Sequence, residues 1–357
     1  MTRRGFVLGL PAVAWAASRT VPSAISRYSD PATEFPVLRL TAPQYTSVLP
    51  AHYQHSIARR GNSLLFASDL TGRMEAYRME LKTGIAHQLT EEEGLEPASL
   101  TFTADERSFC CLAKGRLLVV NLNTGRPREV YRIPEGYQAA GGMSVAEDTL
   151  YAAILESRAS NYRLRLIRMS DGMATTIAEA PEEIRDPIAR PKRASVLYRR
   201  AKGIWLVNYD GRQSYALRLS EGEAATATWS PDGRSIFYLN LPADPKKLHN
   251  IREFVPDTNE DKSVANTTQF VGFERNADAT VFTGASGSKA SPHVLLLVRT
   301  VKREFTICEH RASDPTMVSP IFSPDSQHVY FVSDRHGKPA IYSIAVEKLV
   351  TETSSDQ

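Results

Sequence analysis

Cysteine is scarce in this chain, with 3 in 357 residues. Cys110 and Cys111 are adjacent in an apolar run, where strand alternation sends them to opposite faces. Cys308 lies in another apolar run. Such cysteines read as buried and unpaired, which excludes a disulfide framework. No His-x-His, His-Glu-x-x-His or Cys-x-x-Cys spacing occurs, so no strong metal motif exists and no metal ligand is assigned. Charge of one sign is also missing: the net value is +3 and the basic residues are scattered. The densest short run, Arg199-Arg200-Lys202, reads as a solvated turn, so no nucleic-acid patch is expected.

Long apolar runs are absent too. The stretch from Phe6 to Ala17 is too short to span a bilayer as a mature helix. It follows Thr2-Arg3-Arg4-Gly5 and contains the small-x-small pattern Ala14-Trp15-Ala16. The paired arginines before x-Phe-Val look like a twin-arginine export signal; an ordinary secretory signal or an uncleaved anchor is the alternative. The expectation is a bacterial protein sent to the periplasm or beyond, with no stable membrane span once the leader is removed. Residues 1–30 would be leader and linker, 31–350 one domain, and 351–357 a polar tail.

What the chain does have is a repeated phrase. Phe322-Ser323-Pro324-Asp325-Ser326 precedes Val329-Tyr330-Phe331-Val332, and Trp229-Ser230-Pro231-Asp232-Gly233 precedes Ile236-Phe237-Tyr238. Aligned on the strand that follows, copies start near Asn62, Arg107, Asp148, Arg193, Arg234, Ala279 and Gln327, 41–48 residues apart. That period matches four-stranded propeller blades of roughly 40–50 residues. The copies around Leu150, Val196 and Val281 have lost the phrase and are held by spacing and apolar runs, so the count of seven leaves room for six or eight.

Asp-Gly and Asp-Ser supply hairpin-turn chemistry, and the following runs are short and β-branched or aromatic. One such sheet cannot bury both faces, whereas blades stacked round an axis can. The fold expected is all-β: a seven-bladed β-propeller of four-stranded blades. The last copy lacks a fourth strand. Val37-Leu38-Arg39-Leu40-Thr41, which precedes the first copy, is expected to supply it and close the ring.

In a propeller, residues entering the innermost strands face the channel. Here these are Tyr53-Gln54-His55, Ser99 to Thr101, Gly141 to Met143, Thr226 to Thr228, Gln269 and Met317 to Ser319. Converging polar groups there make the default ligand site. Before the last blade, Glu309-His310-Arg311 forms a polar word that could reach the channel from a loop, although a surface loop is the plainer reading.

The repeat wording looks like the TolB-type propeller repeat. A narrower resemblance, from about Val37 to Val346, is to the oligogalacturonate lyase family. It rests on Ser63 to Ala67, Leu81-Lys82-Thr83-Gly84, His87-Gln88-Leu89-Thr90, Val130 to Glu135, and Ser333-Asp334 through Gly337 to Tyr342. The resemblance implies a seven-bladed propeller that cleaves short pectin fragments by β-elimination. A histidine base would remove the proton beside a uronate carboxylate, and a cation, typically manganese on histidine ligands, would neutralise the developing charge.

The site words depart from that pattern. Thr226 stands where the family's base histidine is implied, and Met317-Val318-Ser319 stands where its His-Pro-His metal motif is implied. Gln269 falls near another implied histidine ligand, while Tyr53-Gln54 matches a Tyr-Gln pair. Two readings follow. In one, the chain is a lyase with a rearranged site, using His55 or His310 as base and Arg311 as carboxylate clamp. Tyr53, Gln54, Thr226, Gln269 and Ser319 would then contact an acidic oligosaccharide. In the other, it is a non-catalytic exported propeller that binds a saccharide or a protein partner.

Overall fold

The computed structural model describes residues 19–268, 270–347 and 349. The leader phrase, Gln269 and the 351–357 tail lie outside these. The described residues form seven antiparallel sheets. Their second strands begin at Ser63, Ser108, Tyr151, Ser195, Ile236, Val281 and His328, each within three residues of the aligned copies. The three copies without the phrase are blades like the rest.

The phrase recurs because it is a hydrogen-bonding device. In the fifth blade Ser230 Oγ donates to Asp232 Oδ1 at 2.7 Å and accepts from Ser235 N at 2.9 Å, while Asp232 Oδ1 accepts from Arg234 N at 3.0 Å. Thr103 and Asp105 repeat this in the second blade, and Ser323 with Asp325 in the seventh. Gly233, at φ 69°, supplies the left-handed residue of this turn. Glu106, Thr149, Ala279 and Ser326 take the same conformation at the matching position without being glycine, and in the fourth blade Lys192 takes it one position earlier. Local side-chain bonds and strand pairing hold a backbone that the sequence alone does not advertise.

Seven apolar clusters lie one between each pair of neighbouring blades, including the pair of last and first. Cys110 joins the cluster between the second and third blades, and Cys111 the one between the first and second. The alternation read from the sequence is thus realised, and all three cysteines are free and buried.

Ring closure follows the expected strand. Pro36–Arg39 pairs antiparallel with Ala340–Ala345, with Val37 opposite Ile344 and Arg39 opposite Tyr342. Sheet pairing also starts ahead of residue 31. Ser26–Ser29 adds a fifth strand outside Pro36–Arg39, and Thr20–Val21 pairs with Ala86 and His87 on the outer edge of the first blade. The first and last blades therefore have five strands, because the segment before the closing strand covers two outer edges that would otherwise be open. No described helix is long and apolar enough to cross a membrane.

Candidate active site in the propeller channel

Four inner strands are irregular at the same place. Register shifts fall between Ala139 and Met143, Arg185 and Ile188, Ala224 and Ala227, and Phe270 and Gly272. Such bulges re-aim side chains that regular alternation would place elsewhere. Here they bring Arg185, Asp186, Thr226 and Gly272 to a cavity of about 400 Å³ at the start of the inner strands. Ser319, Thr316 and Arg199 line the same cavity. A second cavity, of about 470 Å³, lies where the inner strands end and is lined from all seven blades. His52 borders both.

The smaller cavity carries two guanidinium groups. Arg199 Nε donates to Asp186 Oδ2 at 2.6 Å, and its Nη1 donates to the Ala224 and Ala225 carbonyls. Asp186 sits at φ 48°, a left-handed conformation that the bulge imposes. Arg185 is held less firmly: its Nε is buried with no hydrogen-bond partner, and Glu183 lies 3.7 Å away. An unpartnered guanidinium donor is costly to bury unless something acidic meets it. Tyr53, beside this group, has its phenol pushed well above the usual range by burial and then by the Asp186 charge, so it stays a hydrogen-bond donor.

The larger cavity holds His55. Its Nε2 lies 3.0 Å from Glu106 Oε1, and its ring meets Phe102 edge-on. Burial pulls the imidazole below its ordinary value against the opposing pull of Glu106. Gln54 is a strut: its Nε2 donates to the carbonyls of Ala98 and Met143, tying the first blade to the second and third.

The structure therefore divides the sequence-based candidates. Tyr53, Gln54 and His55 line the larger cavity, and Thr226 and Ser319 the smaller one. Gln269 is not among the described residues. His310 is fully buried: its Nε2 lies 3.1 Å from the Ser286 carbonyl and its Nδ1 accepts from Ala312 N at 3.0 Å. Both nitrogens are engaged with backbone, and burial lowers its pKa, so the neutral ring serves the fold. Arg311 lines neither cavity and pairs with Glu309, at 52% side-chain exposure. His55, His310 and Arg311 thus do not meet.

Sequence reading passed over His52, Arg185, Asp186 and Glu274. His52 directly precedes Tyr53, so repeat position could have found it. The blade-four pair is visible only once the bulge is known.

The manganese implied by the family resemblance calls for imidazole and carboxylate donors. Around Thr226 and Ser319 the donors are a single imidazole, His52, with two arginines, hydroxyls and one carboxylate already bonded to Arg199. No group of three or more His, Cys, Asp or Glu side chains suited to a metal occurs among the described residues. This donor set does not fit a resident divalent ion.

Comparison with known proteins agrees with the architecture. Residues 15–164 match the sequence profile of a family described as oligogalacturonate lyase. An oligogalacturonide lyase of Pectobacterium atrosepticum is 26% identical, the match covering 90% of this chain and 96% of that protein. An oligogalacturonate lyase of Dickeya dadantii is also 26% identical, over 88% and 94% of the two chains. The solved structure of an oligogalacturonate lyase in complex with manganese superposes with a TM-score of 0.87 at 24% identity, over 93% of this chain and 98% of the other. A Vibrio parahaemolyticus oligogalacturonate lyase gives 0.86 at 24%, over 93% and 99%. The superpositions establish a shared fold.

Proposed function

Because the chain belongs to the oligogalacturonate lyase family, we propose that it acts on pectin-derived oligogalacturonides by β-elimination in the smaller channel cavity. The observation that carries this reading is Arg185, whose Nε makes no hydrogen bond and has Glu183 only at 3.7 Å, in a cavity that Arg199 also lines. A uronate carboxylate is the natural acceptor for such a donor, and guanidinium groups bind carboxylates in a planar, charge-assisted manner. In β-elimination, negative charge spreads onto that carboxylate as the neighbouring proton leaves. Fixed donors aimed at it stabilise the transition state more than the ground state. Arginine would then supply here the charge neutralisation that a cation supplies elsewhere.

Ser319, which lines the same cavity, would donate to substrate hydroxyls. The twin-arginine-like leader supports an exported, periplasmic or extracellular setting. A binding-only propeller would use the same arginines without turnover.

The test is incubation of the folded protein with trigalacturonate, following ultraviolet absorbance of the unsaturated product and, in parallel, binding by calorimetry. Binding that weakens with salt, together with product formation, is expected. Absence of binding would sink the proposal. Binding without product would leave the saccharide-binding form alone.

A further inference from the structure

We propose that His52 is the proton-abstracting base of this cavity, positioned by the Ala227 carbonyl and by Glu274. The inference rests on the β-elimination reading above. His52 Nε2 lies 3.1 Å from Ala227 O. A carbonyl only accepts, so Nε2 carries the hydrogen, and the neutral ring keeps its lone pair on Nδ1. No described residue hydrogen-bonds to Nδ1. That is the arrangement a general base needs: one nitrogen pinned, the other free.

Glu274 completes the device. It is only 8% exposed. Its Oε1 accepts from Thr228 Oγ1 at 3.2 Å and from Arg275 N at 3.1 Å, while Oε2 has no hydrogen-bond partner. That bare oxygen is 4.0 Å from His52 Nε2, an ion-pair distance once the ring is charged. A carboxylate facing the far side of an imidazole stabilises the imidazolium that proton abstraction creates.

His52 is also the one histidine that lines the cavity containing both arginines. His55 faces Glu106 in the other cavity, His249 lines neither cavity, and both ring nitrogens of His310 are bonded to backbone. The other charged or titratable groups of the cavities His52 borders are Tyr53, edge-on at 5.1 Å, Arg185, Asp186 and Arg199 on one side, and His55, Arg59, Glu147 and Arg275 on the other. Gly272 lines the cavity too, and a Cβ there would meet only Thr226 Oγ1, at 3.7 Å.

The step balances without an oxidant or co-reactant. The C–H bond beside the uronate carboxylate breaks and its proton goes to Nδ1. The electron pair forms the C4–C5 double bond, and the C4–O glycosidic bond breaks. The departing oxygen takes the proton back from the imidazolium, which returns the ring to neutral.

The experiment compares the full chain with His52→Gln, His52→Phe and Glu274→Gln, each checked for folding by circular dichroism. Both His52 variants should bind trigalacturonate within about threefold of wild type and lose on the order of 100-fold or more in kcat. Glu274→Gln should retain binding, lower kcat and move the acid limb of the pH–rate profile to lower pH, because the imidazolium loses its carboxylate. Elimination by His52→Gln within about threefold of wild type would overturn the assignment. So would loss of binding equal to the loss of rate, which would make His52 a binding residue. A wild-type protein that binds without eliminating refutes the base while leaving the binding site standing. A wild type that does not bind refutes the site itself.

Discussion

Asp30 and Arg335 face each other at 3.8 Å across the seam that closes the ring, with side chains 0% and 7% exposed. Asp30 Oδ2 also accepts from Glu309 N on the outer strand of the sixth blade, at 2.9 Å. Arg335 donates to Tyr28 Oη and to the Glu309 carbonyl, and its guanidinium stacks over the Tyr28 ring at 4.8 Å. One buried cluster thus ties the segment before the closing strand to the last two blades.

Breaking that pair from one side leaves a buried, uncompensated charge. Asp30→Ala should cost about 3–5 kcal/mol, the range for an orphaned buried ion. Urea unfolding checks this: the midpoint should fall while the slope stays constant. A loss under about 1 kcal/mol would place the pair among solvent-screened contacts.

Arg185 and Arg199 should separate function from stability. Arg185→Ala removes a side chain with one distant acidic neighbour, Glu183 at 3.7 Å. The urea midpoint should hardly move, while affinity for trigalacturonate falls roughly 10- to 100-fold, matching a charged hydrogen bond of about 1.5–3 kcal/mol. Arg199→Ala should damage both, because Arg199 also holds Asp186 and the Ala224 carbonyl. Calorimetry alongside unfolding reads the two effects apart.

Thr226 offers a gain-of-function test. It lines the arginine-bearing cavity, and Gly272 nearby presents no side chain against it. Thr226→His would place a free imidazole where the resembled family is expected to carry its base. Elimination should rise on the order of tenfold or more, toward the range general bases contribute. Initial rates of unsaturated product measure it, and an unchanged rate in a folded variant counts against this cavity as the reaction site.

Acid should weaken the fold through the histidines whose charged form the folded chain disfavours. Burial lowers the pKa of His310 from the ordinary 6.5, and His55 and His336 shift the same way, burial again being the largest cause. Above about 6.5 these rings are neutral in both states and cost nothing. As pH falls through 6.5 toward the lower folded values, the unfolded chain takes protons that the folded chain refuses, and stability declines. The urea midpoint should therefore drop between about pH 7 and pH 5. His310→Gln should flatten part of that drop, even if it is less stable at neutral pH.

Much of the ring was legible in the residues. The Thr103, Ser230 and Ser323 turns carry hydroxyl-to-Asp chemistry within six residues, so these three blades announce their own hairpins. Local hydrogen bonds and strand periodicity depend on near neighbours in the chain, and near neighbours are what a sequence lists. The closing strand at Val37 was legible for a related reason: the last copy lacked a strand, and one matching run stood unpaired at the other end.

The site was not legible, because its parts come from different blades. Arg185 and Asp186 owe their direction to a bulge that a two-residue period does not reveal. His52 and Glu274 are far apart in sequence and meet only because the ring has closed. His310 looked available in the sequence, and the fold occupies both of its nitrogens. Sequence by itself determined the repeat and its turns and pointed to about seven blades, since these follow from short-range chemistry. Which polar groups share a cavity, and which are consumed in holding the blades together, was decided by tertiary structure, since only packing sets the distances over which charges and hydrogen bonds act.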